Sequence, residues 1–181
     1  QKAAHAVTHN DVGLARQILH KDKWVNEMDM EGQEEGVRIL VTHSPVARDL
    51  RLVLCLTRSI VDLERVADQA KKIAKIVMRH EVDDPSLQLD SAVFEDVASL
   101  SHEACGMIQG ALDAIRDSDA EKAIAVVQAD LRLDQLFEGA MRRLTTYLFE
   151  DHRKIRSVMD AIQALKAMER AGDHAANIAD N

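Results

Sequence analysis

Two stretches of the chain repeat one arrangement of acidic side chains, Asp62-Leu-Glu64-Arg65-Val-Ala-Asp68-Gln-Ala and Ala167-Met-Glu169-Arg170-Ala-Gly-Asp173-His-Ala. In each, a glutamate and an aspartate stand four residues apart. On a helix that spacing stacks both on one face, about 5–6 Å apart at Cβ, where like charges cost about 0.2–0.5 kcal/mol unless something neutralises them. Further upstream, Asp130 and Asp134 form a second such pair, and Asp22 and Asn26 hold the corresponding positions of the other copy. Oxygen-only side chains of this kind suit hard or borderline cations, and facing pairs can bridge more than one ion. The candidate metal ligands are therefore Asp22, Asn26, Glu64 and Asp68 in one set, and Asp130, Asp134, Glu169 and Asp173 in the other.

Two plainer readings stand beside metal. With 31 acidic residues in 181, about five acid-x-x-x-acid pairs arise by chance on a helical chain, most of them solvated. On a helical wheel, however, Glu64 and Asp68 flank an apolar stripe, and Glu169 and Asp173 flank theirs, so both pairs border a core. Carboxylates at such an edge need a counter-charge, which could be a metal, a proton or an arginine. Arg51, Arg65, Arg156 and Arg170 recur with the acids and are the candidates for internal ion pairs or partner contacts.

The elements that would carry these residues are all helices. Seven glycines and two prolines are too few for the turns of a sandwich or barrel. Apolar residues recur at three and four, as in Ile60, Leu63, Ala67, Ala70, Ala74 and Val77, and in Leu165, Met168, Ala171, Ala175 and Ile178. The pattern predicts the end of a helix at 1–9 and helices near 11–42, 45–81, 88–117, 119–150 and 152–180. Ser44-Pro45 reads as an N-cap with proline at the first helical position. Ser118-Asp-Ala-Glu121 reads as a capping box, and Val82–Ser86 as a linker.

Residues 48–75 laid on 153–180 agree at nine of twenty-eight positions, and upstream an offset of 108 pairs Asp11 with Asp119, Ala15 with Ala123, Asp22 with Asp130 and Leu40 with Leu148. The expected fold is all-α: two tandem, similar three-helix bundles, 1–82 and 83–181. In the first bundle the opening helix is represented by residues 1–9 alone. To match its partners it should begin about twenty residues earlier, at 1.5 Å per residue.

Composition excludes several classes of function. A formal charge of −8 and 3% aromatic residues oppose binding to nucleic acid. No apolar run approaches the length of a membrane span, so membrane insertion is not expected. Cys55 and Cys105 sit in helical patterns and read as reduced core thiols. The methionines read as core filler. His5 and His9, four apart, could grip zinc, but a lone pair reads better as surface. No Glu-x-x-His pair, Gly-rich phosphate loop or nucleophile setting occurs. Taken with the family resemblance given next, the expected function is a non-enzymatic adaptor, ahead of a carboxylate-bridged metalloenzyme hydrolysing phosphoesters and of a metal-free helical interaction module.

Taken together, Asp22-Lys-Trp-Val-Asn26, Ser44-Pro-Val-Ala-Arg-Asp-Leu-Arg51, the twin Glu-Arg-x-x-Asp segments and Gly172-Asp-His-Ala-Ala-Asn-Ile-Ala179 resemble the PhoU family of phosphate-signalling regulators, across essentially the whole chain. The resemblance implies two similar three-helix bundles and a cytosolic regulator that restrains phosphate uptake and the phosphate-starvation response. The implied partners are the ATP-binding subunit of the phosphate transporter and a sensor histidine kinase, and a homodimer is the expected assembly. Some members carry iron or zinc clusters on the acidic motifs, which carries over to the two sets of four residues above. The neutral Asn26, and Gln69-Ala-Lys71-Lys72 in place of His-Ala-Ala-Asn, imply weaker or different metal occupancy in the first bundle.

Overall fold

A computed structural model of the chain describes residues 1–80, 91–150 and 152–181. Its helices are α1 (Lys2–Thr8), α2 (Val12–His43), α3 (Ala47–His80), α4 (Ser91–Asp117), α5 (Ala120–Glu150) and α6 (Ile155–Asp180), the last preceded by a short 3-10 turn at His152–Lys154. No strand occurs among the described residues. The expected linker at 82–86 and the boundary at 82/83 lie outside them.

Helices α4, α5 and α6 pack against one another, α1, α2 and α3 do likewise, and α3 lies along α6 to join the halves. In the second bundle the α6 stripe of Leu165, Met168, Ala171, Ala175 and Ile178 is buried throughout, against Leu100 of α4 and Leu133 and Leu144 of α5 in one continuous core. The first bundle is open. The two turns of α1 give Ala3 and Ala4 to the main core and Ala6 to a small second cluster with Ala15, Ala74 and Val77. Farther along α2 and α3, Val37, Val41, Leu50 and Leu54 are exposed.

The duplication extends to backbone detail. At the end of α1, Asn10 is left-handed, and Asp11 N–H donates to the Ala6 carbonyl at 2.9 Å; at the end of α4, Ser118 is left-handed, and Asp119 N–H donates to the Ala114 carbonyl at 2.9 Å. Each residue pair differs by 108, the offset read from the sequence. The aspartates then cap the following helices. Asp11 Oδ1 accepts from Leu14 N–H at 2.8 Å, and Asp119 Oδ1 accepts from the N–H groups of Glu121 and Lys122 at 3.0 and 3.2 Å.

The capping residue is thus Asp119 and not Ser118, because Ser118 is used one step earlier to stop α4. Asp119→Ala should lower stability by about 1 kcal/mol and the melting temperature by about 2–4 °C, measured by circular dichroism. The Ser44-Pro45 reading also needs correction. Ser44 is the left-handed C-cap of α2, its N–H donating to the Leu40 carbonyl at 3.2 Å, and α3 begins at Ala47, so Pro45 sits in the connection.

Two composition-based expectations hold only in part. Met107 and Met168 are buried, whereas Met28, Met30 and Met159 are exposed, because they fall on outward faces of their helices. Cys55 and Cys105 are free, but half-buried and not core.

Candidate metal centre

Asp130 and Asp134 project from α5, and Glu169 and Asp173 from α6, at the seam where these two helices pack. The seam is tight there because residue 172 is glycine. A methyl group at Gly172 would overlap the Cδ2 of Leu133, a fully buried residue on α5 between the two aspartates. The small residue and its bulky partner bring the acidic edges together.

Three of these four carboxyls titrate above their ordinary range for one shared pair of reasons. Burial pushes Glu169 up first, followed by repulsion from Asp173 and Asp134, and it outweighs Arg170 and Lys166. Asp173 is pushed up by burial and then by Asp134, against the pull of His174 and Arg170. Asp130 is raised by burial, Asp134 and Asp173, with no opposing cation. Its Oδ1 atom is buried with no hydrogen-bond partner, which is costly for a carboxylate oxygen. Asp134 is the exposed member. As they stand, no three His, Cys, Asp or Glu side chains among the described residues converge closely enough to hold a metal ion. A cation would have to draw them in by side-chain rotation.

The first set is built differently. Asp22 on α2 and Glu64 and Asp68 on α3 are half-buried, while Asn26 is exposed. Lys71 Nζ donates to Asp22 Oδ2 at 2.6 Å and stands 3.8 Å from Asp68 Oδ1. Glu64 is raised by burial and by Asp68, Asp29 and Asp22. Asp29 therefore joins this set, held by Gln33 Nε2, which donates to both its oxygens at 2.8–2.9 Å. The repeat does not mark Asp29, because residue 137 in the other copy is phenylalanine.

The repeated arginines do not neutralise the acids at short range. Arg65 reaches Asp62 at 3.4 Å rather than Glu64. Arg170 attracts Glu169 and Asp173, but burial outweighs that attraction at both. Arg51 and Arg156 lie on the exposed surface.

Among the described residues, two polar contacts that periodicity could not foresee join the halves. His174 Nδ1 lies 3.0 Å from the buried Asp62, and Arg79 lies 3.1 Å from the buried Asp160. As the α3 number rises from 62 to 79 the α6 number falls from 174 to 160, so α3 and α6 run antiparallel. His5 and His9 are exposed and stacked ring on ring at 4.1 Å. A groove of about 830 Å³ between α1 and α4, lined by His5, His102 and Cys105 among others, contains none of the eight acidic-motif residues.

Comparison with known proteins bears on what such a scaffold does. The model of the PhoU domain matches twice, at residues 1–77 and 97–181. A Pseudomonas aeruginosa protein named phosphate-specific transport system accessory protein PhoU homolog is 39% identical over 180 residues, 98% of this chain and 72% of that one. The Escherichia coli phosphate-specific transport system accessory protein PhoU is 35% identical over 181 residues, 98% of this chain and 73% of the other. Among solved structures, PhoU from P. aeruginosa superposes with a TM-score of 0.91 at 38% identity, covering 99% of this chain and 84% of that one. The phosphate transport system regulatory protein PhoU from Streptococcus pneumoniae gives 0.86 at 26% identity, covering 98% and 81%. No helix among the described residues is long and apolar enough to cross a membrane.

Proposed function

Since this chain belongs to the PhoU family, the regulators of phosphate transport, we propose that it restrains phosphate uptake and phosphate-starvation signalling without catalysis, as an adaptor between the transporter's ATP-binding subunit and a sensor histidine kinase. The observation that carries the proposal is the patch of Asp130, Asp134, Glu169 and Asp173, in which burial and mutual repulsion raise three carboxyls and one oxygen has no partner. Such a patch has two charge states, bare and neutralised. An interface that reads charge distinguishes them, because like-charge juxtaposition opposes one partner and favours another.

A metal ion fits the donor set. Four carboxylates supply only oxygen, which favours a hard or borderline cation, with iron a better match than the nitrogen- and sulfur-seeking zinc. When bound, it would supply positive charge that offsets the crowding at Asp130 and ties α5 to α6. The chain's own contribution is the fixed spacing of the two helices.

A second reading is supported by the lack of convergence among the side chains as they stand. In it the bare acidic patch docks directly on a basic partner surface, with no ion. Replacing Glu169 and Asp173 together by alanine separates the outcomes. Under the metal reading, protein purified without added metal loses its iron or zinc by elemental analysis, and a phosphate-starvation reporter is relieved from repression at high phosphate. If repression is relieved but neither protein contains metal, direct docking is the mechanism. Full repression by the doubly substituted protein would remove the patch from the function.

A further inference from the structure

The two acidic sets differ most at one position, residue 71 and its counterpart 176. Lys71 stands three residues beyond Asp68 on α3, and its half-buried side chain crosses to α2, where Nζ meets Asp22 Oδ2 at 2.6 Å with Asp68 Oδ1 at 3.8 Å. In the second bundle the residue three beyond Asp173 is Ala176, which offers no charge. The partner that Lys71 grips, Asp22, corresponds to Asp130, whose Oδ1 is buried and unpartnered. One copy of the aspartate is satisfied from within the chain, and its duplicate is not.

We infer that Lys71 is a tethered counter-ion occupying the place of a divalent cation in the first acidic set, so that this chain carries one metal-binding set and not two. An ammonium on a flexible stem is a compact point charge that can sit among carboxylates much as an ion does. It differs from a free ion in being held at high effective concentration by its own helix. Three carboxylates around an ammonium attract a further cation far less than four bare ones. The remaining members of the first set add little: Asn26 is neutral, and both oxygens of Asp29 already accept from Gln33 Nε2.

The inference rests on the metal reading of the second set, and one titration separates their failures. Metal-free full chain is titrated with Mn2+, with free ion counted by electron paramagnetic resonance. The unsubstituted chain should bind at one set, and Glu169→Ala with Asp173→Ala should abolish tight binding. Lys71→Ala, which copies residue 176, should about double the Mn2+ capacity, and Asp22→Asn added to Lys71→Ala should return it to the original value. Lys71→Gln keeps the length of the side chain without its charge and should behave like Lys71→Ala, while Lys71→Arg should retain a single set.

If tight binding survives Glu169→Ala with Asp173→Ala but disappears on Asp22→Asn, the first set takes metal beside Lys71 and the inference is overturned. Equal capacity in the unsubstituted chain, Lys71→Ala and Lys71→Gln overturns it as well. If the unsubstituted chain binds no Mn2+ while Lys71→Gln does, the metal reading of the second set fails and the role of Lys71 stands.

Discussion

At neutral pH the metal-free chain should melt about 5–10 °C higher once a suitable divalent cation is present at a hundred times its dissociation constant. Binding to the folded state alone contributes about 2.7 kcal/mol at that ratio, and about 1 kcal/mol moves the midpoint of a chain of this length by 2–4 °C. Acidification should act in the same direction on the metal-free chain. Asp130, Glu169 and Asp173 have folded values raised above the ordinary 3.8 for aspartate and 4.5 for glutamate, with burial the largest cause and neighbouring carboxylates next. Groups raised in this way stabilise the fold fully below their unfolded values and lose that contribution as pH rises through the folded ones.

Lowering the pH from neutrality through the raised folded values of these carboxyls should therefore raise the midpoint without metal. It should also shrink the further gain from metal, since protons and cations compete for the same oxygens. Replacing Glu169 and Asp173 by alanine should leave the metal-free midpoint at pH 7 unchanged or higher and cancel the metal-induced rise. Differential scanning calorimetry at pH 5 and 7, with and without Mn2+, measures all four quantities. A metal-induced rise that persists in the doubly substituted chain would place the ion elsewhere.

In the sequence these linked effects are present only as a spacing. The repeat, the helix limits within a few residues, and the position of Glu64, Asp68, Glu169 and Asp173 at the edge of an apolar stripe are consequences of periodicity, which the sequence carries directly. Lys71 was visible only as a break in the repeat. That its ammonium reaches Asp22, forty-nine residues away on another helix, depends on how α2 and α3 pack. Asp29 had no duplicate to draw attention to it, and the pairs Asp62–His174 and Arg79–Asp160 lie where one bundle meets the other, a surface that amphipathic patterning does not specify. The Ser118 reading failed for a smaller reason: a motif places its cap correctly only if the preceding helix ends before it, and here Ser118 serves as the terminator of α4.

The spacing of α5 and α6 at the acidic patch should depend on Leu133 and Gly172 as a unit. Leu133 is fully buried, so Leu133→Ala should cost about 2–5 kcal/mol through lost burial and the void left behind, lowering the midpoint by about 5–15 °C. Gly172→Ala alone gains about 1 kcal/mol of helix propensity but forces its methyl group into Leu133 Cδ2 and within 3.4 Å of Met107 Sδ, an overlap that costs about 1–3 kcal/mol. The net change should be destabilising by about 1 kcal/mol. In the double substitution the new methyl enters the space that the leucine vacates. It should therefore be more stable than Leu133→Ala alone, with a favourable coupling of about 1–3 kcal/mol in a urea-denaturation cycle.

Additive effects would mean that Leu133 moves aside freely and that Gly172 does not set the seam. Gly172→Ala should also weaken Mn2+ binding although every carboxylate remains, because it widens the gap the ion must span. In the first bundle Ala67 stands where Gly172 does, and the glycines that a neighbouring helix overlies belong to α2 instead: Gly32 lies under Ile60 and Gly36 under Thr57 of α3.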